Sequence, residues 1–85
     1  MSYTIQIPRP RAAHATVLDP DGSIHEWVTP GWWDGPVGGA VSRCDEIQEG
    51  MGWIGVHRNG SVRVYPIHRC LLVEWSAHPI PEGDA

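Results

Sequence analysis

Two adjacent tryptophans, Trp32 and Trp33, followed by Asp34, lie in the segment Thr29-Pro-Gly-Trp-Trp-Asp-Gly-Pro-Val-Gly-Gly39. A stretch this rich in proline and glycine does not hold regular structure, so strand periodicity does not account for both rings. They read in one of two ways, or as a mixture with one ring in and one out. Tryptophan is enriched at binding hot spots and loops carry function, which makes them a protruding anchor; alternatively they fold back and plug the open end of a small barrel. A second set is cationic and aromatic: Arg58, Arg63 and Arg69, with Tyr65, His57 and His68. Guanidinium forks suit phosphate and an aromatic face suits a base, so this set points to a small anionic ligand or nucleotide. The same residues also read as the solvated edge of a hairpin.

Other residue types are present without the arrangement that chemistry needs. Cys44, Cys70, His57 and His68 could supply a Cys₂His₂ zinc site. The chain has no Cys-x₂-Cys or His-x₃-His element, so no metal is expected. A cysteine nucleophile needs a base, a third group to orient that base, and an oxyanion site, and no motif assembles them. Glu26, Glu49 and Glu74 are scattered, and His14, His25 and His78 lack ligand spacing and read as surface groups. Gly50-x-Gly52-x-x-Gly55 matches a phosphate fingerprint in letters, but it runs into a strand, so the helix N-terminus that would hold phosphate is missing. The expectation is a binder, with neither catalysis nor cofactor.

The 85 residues suffice for one domain with a thin core. Apolar residues make up 41% and charged ones 19%, a globular balance that separates the chain from disordered ones. No apolar run approaches the length of a membrane-spanning helix, and the first eight residues have neither a basic leader nor a continuous apolar segment. Two cysteines are sparse for a small secreted domain, so both are expected as reduced, semi-buried thiols in a cytoplasmic protein, a single 44–70 disulfide being the other option. All six basic residues are arginine, and the chain has no lysine or phenylalanine, a composition that suits a GC-rich genome such as that of an actinobacterium or its phage. The net charge of −4 is uneven: residues 19–49 are strongly acidic, whereas residues 50–73 carry three arginines and no acid. An acidic chain is a poor non-specific nucleic-acid ligand, because neutralising phosphates supplies that affinity; single-stranded nucleic acid is the weakest of the partner readings.

These residues must be positioned by short strands. Tyr3, Ile5 and Ile7 alternate with polar residues, the period of a strand that Pro8 and Pro10 then stop. Residues 14–18 and 23–28 flank Asp19-Pro-Asp-Gly22 and read as a hairpin. In residues 41–49, Val41, Cys44 and Ile47 recur at every third position, and Ser42 precedes Asp45 by three; this predicts one short helix ending at Gly50, with a polar strand as the competing reading. The strongest local signal is Asn59-Gly60 between Gly52–Arg58 and Ser61–Tyr65. A two-residue type I′ turn there sets His57 opposite Val62, Val56 opposite Arg63 and Ile54 opposite Tyr65. Trp53, His57, Val62 and Val64 then line one side, and Ile54, Val56, Arg58, Arg63 and Tyr65 the other. After Pro66, residues 67–69 make a corner into a last strand, Cys70–Trp75, with Leu71, Val73 and Trp75 on one face. The expected core is Ile54, Val56, Trp53, Leu71, Val73 and Trp75.

The hairpin, the one-turn corner and the terminal strand, Val62-Arg-Val-Tyr-Pro-Ile-His-Arg-Cys-Leu-Leu-Val-Glu-Trp75, resemble the closing segment of SH3-like and Sm-like small barrels over about residues 52–75. The resemblance implies a fold and no activity. The Asp and Asn ligand pattern of the first Sm motif is missing, so uridine-type RNA binding does not carry over. The fold class expected is therefore mainly β, a small curved antiparallel sheet or SH3/Sm-like barrel with one short helix at about 41–49. Residues 1–75 form the domain and 76–85 an acidic, proline-rich flexible tail. The function expected is a non-catalytic module, a small inhibitor or adaptor of phage or mobile-element type, which binds a protein partner through the Trp loop and self-associates as a homo-oligomer. The alternative is a barrel that binds or sequesters a nucleotide through the basic hairpin.

Overall fold

The computed structural model describes residues 10–80; the strand read at Tyr3–Ile7 lies outside them. Seven strands and one 3₁₀ turn make a single curled, open sheet, a half-barrel. They are β1 (Arg11–Leu18), β2 (Ile24–Val28), β3 (Val41–Arg43), β4 (Glu46–Gly50), β5 (Trp53–Arg58), β6 (Ser61–Pro66), the 3₁₀ turn Ile67–Arg69 and β7 (Cys70–Ser76). The order across the sheet is β3-β2-β1-β4-β5-β6, and β7 returns to pair with β1. All pairings are antiparallel except β2 with β3.

The hairpin at Asn59-Gly60 forms in the register the turn dictates, with His57 opposite Val62, Val56 opposite Arg63 and Ile54 opposite Tyr65. Asn59 and Gly60 sit at φ 51° and 82°, the positive angles that a type I′ turn requires. Ile54, Val56 and Tyr65 are buried, whereas Val62 and Val64 face outward. The hairpin at Asp19–Gly22 also forms: the Asp19 amide donates to the Ser23 carbonyl, and Gly22 donates to Asp19.

Residues 41–49 do not form the short helix. They lie in β3 and β4, joined at Cys44–Asp45. The amide of Cys44 donates to Val28 and that of Asp45 to His57, and β4 ladders with β5 from Glu46 to Gly50. A helix of two turns is marginal in isolation, and here each donor it would use has a neighbouring strand to bond. Cys44 and Ile47 are both buried, one against β2 and the other against β5, so a chain that steps between strands mimicked a three-residue period.

The core differs from expectation at its edges. Ile54 and Val56 are central, but β1 supplies the rest through Ala12, Ala15 and Val17, with Trp27, Cys44, Ile47 and Tyr65. A register shift against β7 at Ala13 moves the inward phase of β1 from odd positions to Ala12. A second shift leaves Leu71 without a partner on β1. Leu71 is therefore half-exposed rather than core; Trp75, opposite Ala12 near the end of β7, is half-exposed as well, Val73 packs on the margin, and Trp53 is half-buried against Gly50 and Gly55, whose missing side chains make room for its ring. Ser76 ends β7, and the Ile80 amide donates to the Gly31 carbonyl, tying that stretch back to the loop after β2.

Candidate functional site

On the concave side, a chain of hydrogen bonds fixes Trp27. Its indole Nε1 donates to the Tyr65 hydroxyl at 3.2 Å, and that hydroxyl donates to Asp19 Oδ1 at 3.1 Å. Trp27 and Tyr65 are buried, so the ring is held on both its edge and its body. Two guanidiniums approach the same indole, Arg63 at 5.8 Å and Arg58 at 6.0 Å from the ring centroid, within cation–π range. Arg63 also reaches the Tyr65 hydroxyl at 3.5 Å, a contact that holds it still more firmly protonated than a free arginine. Arg69 donates to the Asp19 carbonyl at 3.2 Å. A cleft of about 680 Å³ opens beside this group, walled by Asp19, Pro20, Arg63, Tyr65, Pro66 and Arg69. A second, of about 460 Å³, lies on the other side of Arg63, between Trp27, Val56, Arg58, Asn59 and Ser61.

On the convex side, the Trp loop covers a buried histidine. His14, 3% exposed, lies between two carboxylates: Nε2 is 2.7 Å from Glu26 Oε1, and Nδ1 is 3.2 Å from Glu74 Oε1. Carboxylates only accept, so both ring nitrogens donate together only as the imidazolium. Trp33 stacks on the imidazole with centroids 4.7 Å apart and planes 9° from parallel. The other Glu26 oxygen accepts from the Gly38 amide, closing the loop onto β2. The hydrogen bond from His14 holds the Glu26 carboxyl below its ordinary value. Pro30-Gly31 makes the turn that starts this loop, with Trp32 N donating to Thr29 and Gly31 at φ 86°.

Searches of protein-family models, curated proteins and solved structures find no match to this chain.

Of the residues singled out in the sequence, Arg58, Arg63 and Tyr65 converge on Trp27, and Arg69 joins them through Asp19. His68 is exposed in the 3₁₀ turn and stands outside that group. Trp32, Trp33 and Asp34 belong to the other cluster: Trp33 on His14, Trp32 under the Arg11 guanidinium at 4.9 Å, and Asp34 exposed. Both tryptophans are half-buried; Trp33 stacks on His14 on the outer surface of β1 and β2 and does not plug the barrel interior. His14 is not a surface group as its spacing suggested, and neither Trp27 nor His14 stood out in the sequence. The visible signal was the alternation of His14, Thr16 and Glu26 across the first hairpin, which sets a histidine and a carboxylate on one face.

Both cysteines are free thiols. The His57 ring bonds Gln48, and among the described residues no group of three or more histidine, cysteine or acidic side chains gathers as a metal site. Burial pushes the Cys44 thiol up to about 11, while Cys70 is raised less and is partly accessible. The thiolate is the reacting form. Iodoacetamide at neutral pH is therefore expected to label Cys70 first and leave Cys44 unmodified in the folded protein, as read by peptide mass mapping. Equal labelling of both would contradict the packing of Cys44 under Val28.

Proposed function

We propose that this chain is a non-catalytic binding module of the SH3-like or Sm-like barrel type, a small cytoplasmic adaptor or inhibitor that works by protein contact and self-associates. The observation that carries the reading is strand β7. Leu71 is 54% exposed, Leu72 48% and Trp75 49%, and among the described residues β7 pairs only with β1, leaving its other edge open. Large apolar side chains on an open edge invite strand addition by another chain, and natural proteins usually guard such edges with charge or proline. Neither guard stands between Cys70 and Val73. The fold part of the reading is supported by the connectivity: β4, β5 and β6 form a meander, one 3₁₀ turn follows, and β7 closes back beside β1.

Size-exclusion chromatography with light scattering tests the proposal. The wild type is expected to show a concentration-dependent oligomer, and Leu71→Lys with Leu72→Lys to run as a folded monomer. Those positions are exposed, so the charges act on association and not on the core. A wild type that stays monomeric at millimolar concentration would overturn the self-association, and an unaltered oligomer in the double variant would move the interface away from β7.

A further inference from the structure

We infer that Arg58 and Arg63, set over Trp27, form a binding site for a phosphomonoester. Register places them together: Arg63 lies opposite Val56, and Arg58 is two residues along from Val56, so they are diagonal neighbours on one face of the β5–β6 hairpin. Such neighbours stand about 7–8 Å apart at the backbone, within reach of one group for side chains this long. Their guanidiniums meet at the same indole, within 6.0 Å of its centroid. Stacking on a buried ring restricts both side chains before any ligand arrives, and the bonds from Trp27 to Tyr65 and on to Asp19 restrict the ring itself.

Two like charges side by side repel unless an anion joins them. Among the described residues no carboxylate lies within 4 Å of either guanidinium, the carboxylate pairs being those of His14. Asp19 offsets part of the Arg63 charge while its Oδ1 accepts from Tyr65, and Asp45 Oδ2 accepts from the Asn59 amide. A phosphomonoester carries about −1.5 to −2 at neutral pH, which matches two guanidiniums, and its oxygens accept from a planar fork. The remainder of the ligand has a place as well. Arg63 is shared by the two clefts, so a phosphate over Trp27 has room to extend its ester substituent into the larger one, past Tyr65 toward Pro66, in a cleft that Asp19 and Asp21 also line.

The test is a titration of ¹⁵N-labelled protein at constant ionic strength, following the indole N–H of Trp27 by NMR. Inorganic phosphate, phosphoserine and adenosine monophosphate are the probes, with adenosine and chloride as controls. The phosphate-bearing probes are expected to shift the Trp27 signal saturably in the millimolar range or below, and adenosine and chloride to leave it still. Arg58→Gln and Arg63→Gln should each weaken binding about tenfold, the loss of one charged hydrogen-bonding partner. Tighter binding of adenosine monophosphate than of phosphoserine would identify a nucleotide ligand, and equal binding a site for the phosphate group alone. No saturable shift with any probe, or an unchanged shift in the Arg58→Gln/Arg63→Gln double variant, would overturn the inference. Both arginines are exposed, and Arg58→Gln leaves the contact with Tyr65 untouched, so that variant reports on the site even if Arg63→Gln disturbs the fold.

Discussion

Trp27→Ala is expected to bring the protein to the edge of unfolding in water. The indole is 4% exposed, lies opposite Ala15 on the inward face of the first hairpin, and meets Tyr65 from β6 across the concave side. Truncating a buried tryptophan costs about 3–5 kcal/mol, while a domain of this length holds about 4–13 kcal/mol in all. The alanines of β1 cannot swing in to fill the gap, so the cavity persists. Tyr65→Phe should cost far less, about 1–2 kcal/mol, since the ring stays and only the hydroxyl between Trp27 and Asp19 is lost. Urea unfolding followed by far-ultraviolet circular dichroism separates the two, because fluorescence would mix the five tryptophans. A Trp27→Ala midpoint close to that of Tyr65→Phe would mean that the half-barrel closes over the loss.

His14→Ala is the second large effect, and it arises from charge rather than volume. Without the imidazole, Glu26 and Glu74 face one another across a mostly enclosed space, and Trp33 loses its stacking partner. Leaving the enclosed Glu26 carboxylate without this hydrogen-bond partner costs about 3 kcal/mol, and the partial exposure of Glu74 allows water to screen its share. Glu74→Gln in the His14→Ala background should recover part of the loss by removing the repulsion. The pH dependence has a definite sign. The Glu26 carboxyl is held below its ordinary value near 4.5 by the bond from His14. Its contribution is complete above that value and fades as the pH falls through the lower, folded one. The stability gap between wild type and His14→Ala should therefore narrow in acid below about pH 4.5; a gap that stays unchanged down to pH 3 would mean that Glu26 is not the linked group.

How much of this could be read beforehand depended on the distance over which each feature is decided. The β5–β6 hairpin is legible residue by residue, because Asn59-Gly60 alone fixes its register and so brings Arg58, Arg63 and Tyr65 to one face. The inward face of β7 is not, because two register shifts against β1 decide it, and neither leaves a local mark. Alanine is a weak strand former, so Ala12, Ala13 and Ala15 gave no sign that β1 would be the most buried strand. Small side chains there let strands on both edges and a loop on one face approach closely. The environment of His14 was hidden for the same reason: its carboxylates come from 12 and 60 residues away. Residues 41–49 were ambiguous on their own terms, and only β5, which pairs with Glu46–Gly50, decides between helix and strand.

The pairing of β1 with β7 also sets a timetable for synthesis. Among the described strands, the one at the centre of the sheet is translated first, and its longest ladder is with the one translated last. While the ribosome is still at work, β1 can find β2, but most of its other edge waits for β7, whose partners run from Val17↔Cys70 to Arg11↔Ser76, 53 to 65 positions downstream. The local hairpins, β1–β2 and β5–β6, can form early, yet the half-barrel cannot close until the strand ending at Ser76 has left the exit tunnel. Closing loops of that span before any contact rewards them is slow, and in the interval an alanine-rich edge and the apolar β7 are both available to neighbouring chains. Yield in the cell should thus respond to translation rate and temperature more steeply than the size of the protein suggests.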